Sequence, residues 1–288
     1  MTKPKIYILL PVHNRRATTR NFVASLSAQS YRNFHLVLID DGCTDGTVEM
    51  VRETVGALTV ISGNGNWWWA GSLQQGYLWL KLRALDASDL VLIINDDTEF
   101  EADFLQNAVG LMQGRDRTML LAWCYCRDTG KLLEAGVHVD WSRLSFDLAA
   151  SPSEINCLST NGLCMSLYDF LATGGFRPAL LPHYASDYEF SIRAHRKGMK
   201  LVSDPAWHLK LDQNASGYHQ LDVGCFFESL RRIFTKKSTH NPLMLTAFVL
   251  LSSPWRYKTA NLYRVWVYFF LELYQLVKVR ACNVKKLM

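Results

Sequence analysis

Leu36-Val37-Leu38-Ile39-Asp40-Asp41-Gly42-Cys43-Thr44-Asp45-Gly46-Thr47 is an apolar run that stops at two adjacent carboxylates, turns on two glycines and restarts as a helix. Four aliphatic residues with no polar alternation read as a strand buried on both faces. Three carboxylates in the loop that follows repel one another unless a cation, backbone donors or a polar ligand compensates them. Thr44 or Asp45 also suits the cap of the helix opening near Thr47, with Glu49 in its first turn. Capping does not account for adjacent Asp40 and Asp41.

The same pattern repeats on both sides. Ile6–Leu10 precedes a helical stretch 18–29, Leu58–Ile61 precedes 71–85, and Leu90–Ile94 precedes 102–113. Such alternation predicts an α/β fold with a mostly parallel central sheet, whose ligand site lies beyond the carboxyl ends of the strands. The first strand ends in Pro11-Val12-His13-Asn14 and the fourth in Asn95-Asp96-Asp97, so polar and acidic groups converge on one edge. Hard oxygens there suit Mg²⁺ or Mn²⁺, which keep waters and bridge to phosphates; solvated turn carboxylates are the plainer alternative. From Met119 to Asp147 the pattern is strand-like and irregular, and Asp187–Gly198 reads as a loop giving way to a helix.

The chain has 288 residues, 49% hydrophobic and 20% charged, which excludes disorder, collagen and small disulfide scaffolds. Its net charge of +5 is uneven: residues 218–288 hold eleven Lys/Arg against three acids, a balance of +8, which leaves −3 for residues 1–217. The opening apolar stretch, Ile6–Pro11, is too short for a signal peptide. Seven cysteines without a Cys-x-x-Cys pair fit a reducing cytoplasm. Asn66-Trp67-Trp68-Trp69 cannot turn all three indoles to one side; Trp69 is the candidate for a cleft-facing platform, with core packing as the alternative. Gly63-Asn64-Gly65 lacks the third glycine of a dinucleotide fingerprint, which is Trp68, so a Rossmann oxidoreductase is rejected.

Six blocks occur in the order and spacing of the family 2 glycosyltransferases: Pro11–Asn14, Asp40–Thr47, Asn95–Asp97, Thr160-Asn161-Gly162, Gly174-Gly175-Phe176 and Ser186–Arg193. Over 6–212 the chain resembles a GT-A-fold nucleotide-sugar transferase of the rhamnosyltransferase-like branch of bacterial surface-polysaccharide synthesis. The resemblance implies an inverting, divalent-metal-dependent enzyme. Pro11, His13, Asn14, Asp40, Asp41, Asp45, Trp69 and Asp96 would bind the donor, deoxythymidine-diphosphate rhamnose or a uridine-diphosphate hexose. Asp97, the last acid of the DXD motif, and His208 would hold Mn²⁺ or Mg²⁺, while Asn95 replaces that motif's first acid. Asp187 would be the catalytic base, in a Glu-Asp pair whose Glu is here Ser186. Asn161, Gly162 and Glu189 would meet a saccharide or polyprenol-linked acceptor. By their residues alone, Asp187 also suits a helix cap, His208 a core histidine, and Glu189 is the rival base.

These readings divide the chain into a catalytic domain, 1–217 (nucleotide half about 1–100, acceptor half about 101–217), and a basic, aromatic helical extension, 218–288. Phe226, Phe227, Leu230 and Phe234 interleave with Arg231, Arg232, Lys236 and Lys237. That combination suits an anionic membrane surface at the inner face of the cytoplasmic membrane; packing on the core or in a homodimer is the alternative. Nucleic acid is a poor partner for the acidic body. A sugar nucleotidyltransferase would need a Gly-rich loop after the first strand, which His13-Asn14-Arg15-Arg16 is not. A non-catalytic polysaccharide-assembly scaffold stays open through Asn95 and Ser186.

Overall fold

The computed structural model describes residues 3–212 and 226–287. The four apolar runs are β1 (Ile6–Val12), β2 (Phe34–Asp40), β3 (Leu58–Ser62) and β4 (Leu90–Ile93). Helices α1 (Arg16–Ser27), α2 (Thr47–Thr54), α3 (Trp68–Lys81) and, after the short strand β5 (Thr98–Glu99), α4 (Phe104–Met112) follow them. Ile6 lies beside Phe34 on one side and Leu90 on the other, and Leu36 lies beside Leu58, all in parallel register. The order β3-β2-β1-β4 therefore reverses direction at β1, and the crevice between the carboxyl ends of β1 and β4 is the topological switch point.

Alternate side chains of these strands feed two cores. Ile8, Leu10, Leu38 and Leu92 pack with Phe22 and Leu26 of α1 and Phe104 of α4. Leu9, Val37, Ile39 and Ile93 pack with Leu73 and Leu80 of α3. A strand buried on both faces has to be apolar throughout, which is why these runs carry no polar alternation.

The irregular stretch resolves into β6 (Thr118–Cys126), β7 (Leu132–Glu134), β8 (Val137–Asp140) and β9 (Ser145–Leu148); β10 (Leu163–Ser166), α5 (Leu167–Thr173), α6 (Ser186–Arg196) and β11 (Lys200–Leu211) follow. β10 enters between β4 and β6 antiparallel to both, and parallel pairing resumes between β6 and β11. Gly162 occupies this junction. It has φ +80°, its N–H donates to the Ile93 carbonyl and its own carbonyl accepts from Ala122. A Cβ there would lie 2.7 Å from a Leu209 methyl and 3.1 Å from the Ala122 Cβ. The expectation that Gly162 meets an acceptor is corrected: it is buried inside the sheet, where backbone conformation and space require glycine.

The proposed boundary at 217/218 falls outside the described residues, as do the side chains of Phe226 and Phe227. Beyond it run α7 (Phe226–Ile233), α8 (Pro242–Ser252) and α9 (Trp255–Leu287). Asn241 caps α8 through its side-chain oxygen, with Pro242 at the first helical position. Phe248 of α8 is buried with Val139, Cys157, Leu181 and Ile192. Arg196 of α6 donates to the carbonyls of Leu251 and Ser252, and buried Asn261 donates to the Trp141 carbonyl. The start of the extension is thus part of the packing around α6 and the β8–β9 hairpin. No helix among the described residues is long and apolar enough to cross a membrane.

Gly162→Ala should lower stability by about 1–3 kcal/mol, the cost of forcing a side chain into a disfavoured backbone region, before any cost of the contact with Leu209. Urea unfolding at neutral pH measures it; an unchanged midpoint would return Gly162 to the list of ligand contacts.

Candidate active site

At the end of β2, Asp40 accepts the Cys43 N–H at 2.6 Å, which closes the turn. Asp41 gathers the start of α3: its Oδ1 accepts from Gly65 (2.9 Å) and Trp67 (3.1 Å), and its Oδ2 from Trp67 (3.0 Å) and Trp68 (2.9 Å). The carbonyl of Asp41 pairs with His13 Nδ1 at 2.6 Å. Asn14, at φ +50°, accepts from the Thr44 N–H at 2.8 Å, and Asp45 holds the Thr47 N–H at 3.1 Å and the Arg16 N–H at 2.9 Å. His13 and Asn14 remain exposed, Pro11 and Asp45 half-buried, so one crevice wall forms from the ends of β1 and β2. The N-cap of α2 is Gly46, without a side-chain cap, and Asp45, one residue earlier, ties the first residue of α2 to the start of α1.

On the other side of the switch point, Asp96 and Asp97 are 3% and 6% exposed, and Arg15 spans them: Nε to Asp96 Oδ1 at 3.2 Å and Nη2 to Asp97 Oδ2 at 3.1 Å. Thr19 donates to Asp96 Oδ2 at 2.8 Å. Burial pushes the Asp96 carboxyl up to about 6 and raises Asp97, in both cases against the pull of Arg15. Arg15 was not among the expected site residues, although it follows His13-Asn14 directly. Two buried oxygens in this tripeptide, Asn95 Oδ1 and Asp97 Oδ1, have no hydrogen-bond partner. Unpaired hard oxygens fit a Mg²⁺ or Mn²⁺ ion that completes its shell with water and phosphate.

His208 does not join them. It is exposed on β11 with its ring edge-on to Tyr125 at 5.9 Å, while Asp97 meets that strand only at Asp212, whose N–H donates to the Asp97 carbonyl. Four residue steps along the chain separate the two points, roughly 13 Å. Among the described residues no group of three His, Cys, Asp or Glu side chains is placed to share a metal. Pairing His208 with Asp97 is therefore corrected.

In the second half of the sheet, Asp187 sits in the first turn of α6, and its Oδ1 accepts the adjacent Tyr188 N–H at 2.9 Å. The residue before the helix, Ala185, has φ +61°, and no side chain caps it. Burial raises the Asp187 carboxyl to about 6. Glu189 is corrected from acceptor contact and rival base to a structural clamp. It is 3% exposed, bonds Arg193 through both oxygens (2.8 and 3.0 Å) and pairs with Arg177 at 3.3 Å. Arg193 in turn donates to the carbonyls of Thr173, Gly174 and Gly175, which explains the glycine pair of that block. Asn161 is buried with its Oδ1 unpartnered, and the β4/β10 register, continued two residues, sets it opposite Asn95.

Trp67 and Trp69 pack on the α3-side core, so Trp69 is corrected as the cleft-facing indole. Trp68 takes that place at φ +59°, a strained conformation for an aromatic residue. Its ring is edge-on to His183 at 6.1 Å, with the ammonium groups of Lys236 and Lys237 at 5.7 and 5.8 Å. Two of the four cations expected to face lipid point instead at the catalytic body. A further group that sequence reasoning missed is Glu134 on β7. Burial pushes it up to about 7 against a 2.6 Å hydrogen bond from Ser159, and the charges of Asp187 and Asp97 both add to the rise.

Residues 7–162 match the family model described as glycosyl transferase family 2. An uncharacterized glycosyltransferase of Haemophilus influenzae is 38% identical over 55 residues, 19% of this chain and 22% of that protein. The putative glycosyltransferase EpsE of Bacillus subtilis is 34% identical over 50 residues, 17% and 18% of the two chains. The matched stretch spans about a fifth of each curated relative. Among solved structures, the mannosyltransferase PcManGT of Pyrobaculum calidifontis, in complex with GDP-Man and Mn²⁺, superposes with a TM-score of 0.58 at 19% identity, covering 98% of this chain and 81% of that one. S. aureus TarS 1-349 with UDP-GlcNAc gives 0.59 at 15% identity, covering 90% and 70%. At these identities the likeness shows the fold, which is GT-A.

Asp187 has a higher pKa folded than its ordinary 3.8, so across the interval up to about 6 the folded chain binds more protons than the unfolded one and its stability falls as pH rises. Asp187→Asn, which cannot ionise, should therefore gain stability relative to the parent between about pH 4 and 6, the difference levelling off above. Urea midpoints at four pH values read this; a pH-independent difference would mean that Asp187 titrates as if in water.

Proposed function

The chain belongs to glycosyl transferase family 2, and on that premise we propose that it transfers a hexose, with inversion, from a nucleoside diphosphate to a hydroxyl of a saccharide or lipid-linked acceptor in cell-surface polysaccharide synthesis. The observation that carries the reading is electrostatic. Asn95 Oδ1 and Asp97 Oδ1 at the switch-point crevice are buried without a hydrogen-bond partner, although Arg15 already pairs with the other Asp97 oxygen, which supports a cation there that would receive a diphosphate.

In the proposed reaction the acceptor oxygen bonds to the anomeric carbon as the bond from that carbon to the diphosphate oxygen breaks, and the acceptor proton passes to an oxygen of Asp187. A carboxylate with a pKa near 6 is ionised at neutral pH yet closer to a hydroxyl's needs than one near 4, which favours general-base work. Asn95 and Asp97 would hold Mn²⁺ or Mg²⁺, whose charge would stabilise the departing diphosphate. His13, Asn14 and the turn built by Asp40, Asp41 and Asp45 would receive base and ribose, with Asp41 shaping that pocket through the amides it holds. Deoxythymidine-diphosphate rhamnose is the leading donor and a uridine-diphosphate hexose the second.

Asp187→Asn should lower turnover by roughly 10²–10⁴-fold with nucleoside-diphosphate affinity preserved, and chelation of divalent metal or Asp97→Ala should lower both. Donor turnover over a panel of nucleotide sugars is the assay. Near-normal turnover by Asp187→Asn would leave the fold as an assembly scaffold or move the base elsewhere.

Peripheral attachment to an anionic membrane rests on α9. Tyr263, Trp266, Phe270, Tyr274 and Val277 recur at helical spacing on one exposed stripe, within a segment of net positive charge. Trp266→Ala with Phe270→Ala should abolish flotation with anionic liposomes; parent protein that stays with the unbound fraction at low salt sinks the idea.

A further inference from the structure

Between β7, the β8–β9 hairpin and α6 lies a cavity of about 140 Å³ that no donor-side residue enters. Its polar lining is Glu134, Ser159 and Asp147, and its aromatic wall is Phe146 with Tyr188. Those two rings stack at 5.6 Å and 21°, and Phe146 leans on Phe248 of α8 at 5.7 Å, so the wall is backed by the helical extension. Tyr188 is the chain neighbour of Asp187 and donates its N–H to that carboxylate. The cavity thus adjoins the start of α6 through Tyr188, and Asp187 itself is not part of its lining.

Ser159 holds Glu134 Oε2 at 2.6 Å, which leaves Oε1 for a ligand in the cavity. The volume equals that of about four to five liquid waters, the scale of one sugar ring and not of a chain of them. Aromatic faces suit the C–H side of a pyranose, and a carboxyl beside a serine suits its hydroxyls. No Lys or Arg lines the cavity, while Glu134 and Asp147 do; a carboxylate- or phosphate-bearing sugar would meet like charge and no counter-ion.

We propose that this cavity is the acceptor subsite and takes one uncharged pyranose ring, packed against the Phe146–Tyr188 pair and hydrogen-bonded to Glu134, next to the start of α6. The inference rests on the transferase reading for the word acceptor, though the binding it describes can be measured without turnover. Burial raises the Glu134 carboxyl, which favours a group able to donate to as well as accept from sugar hydroxyls.

The test uses the full chain and a set of neutral methyl hexopyranosides, with methyl glucuronide as the charged analogue, read by saturation-transfer NMR with titration. The parent should bind at least one neutral glycoside, and Glu134→Ala and Phe146→Ala should each weaken it by about tenfold or more. Glu134→Gln, which keeps the volume and the fold, should fall between. Methyl glucuronide should bind at least tenfold more weakly than its neutral counterpart, and uridine or thymidine diphosphate affinity should stay unchanged in every variant. A parent that binds none of the glycosides, prefers the glucuronide, or binds equally well when Glu134 is Gln overturns the subsite. Donor turnover is scored separately: turnover with Glu134-independent glycoside binding overturns the subsite and spares the transferase, and Glu134-dependent binding without turnover does the reverse.

Discussion

Asp40, Asp41, Asp96 and Asp97 are 7%, 6%, 3% and 6% exposed at the carboxyl edge of one sheet, and a buried carboxylate costs several kcal/mol unless donors or a cation offset it. The chain meets that constraint in two ways. On the β2 side it uses backbone amides, with Asp40 closing its own turn and Asp41 drawing Gly65, Trp67 and Trp68 onto its two oxygens. On the β4 side it uses Arg15, which leaves one oxygen of Asp97 buried and unpaired. The first solution sets the start of α3 and turns Trp68 into the cleft; the second leaves the switch point ready for a ligand of positive charge.

The second half of the sheet depends on a different kind of support. Buried Glu189 pairs with Arg193 and with the exposed Arg177, and Arg193 pins the Gly174-Gly175 segment against the first turn of α6, where Asp187 lies. Phe248 of α8 fills the gap behind Phe146 and α6, and Arg196 closes the carbonyl end of α8. The helical extension thus contributes to the site by packing. Its exposed aromatic stripe starts at Tyr263, between buried Asn261 and Val265, and runs on to Val277.

Three non-glycine residues with left-handed backbone, Asn14, Trp68 and Ala185, sit where the ends of β1, α3 and α6 approach one another. Such conformations cost of order 1–3 kcal/mol each for residues other than Asn and Asp, and persist where surrounding structure over-determines them. Here the Ala70 N–H donates to the Pro182 carbonyl and stitches the two halves together between Trp68 and Ala185.

How much was legible in the chain differs between its halves. Short apolar runs ending in Asp40-Asp41 and Asn95-Asp96-Asp97 announced both the parallel sheet and its acidic edge, because a strand buried on both faces is apolar throughout and its loop carries whatever must meet a ligand. The helix that opens at Ser186-Asp187 was legible from its block, and the turn of Asp45 onto Thr47 from the helix that follows it. Orientation was not legible: which of three tryptophans faces the cleft, that Glu189 turns inward to Arg193, and that Lys236 and Lys237 fold back on Trp68 all depend on how helices dock. His208 and Gly162 were misread because neighbouring residues in a block need not share a face once β10 inserts antiparallel and β11 carries His208 away from Asp97. Glu134 carries no local signal at all; only the pairing of β7 with β6 sets it beside Cys124, where the charges of Asp187 and Asp97 raise it. Local sequence thus determined the elements and the chemistry at their ends, since periodicity and turn residues act over a few positions. Tertiary structure decided which of those groups face one another, since long-range register and helix packing act between residues far apart in the chain.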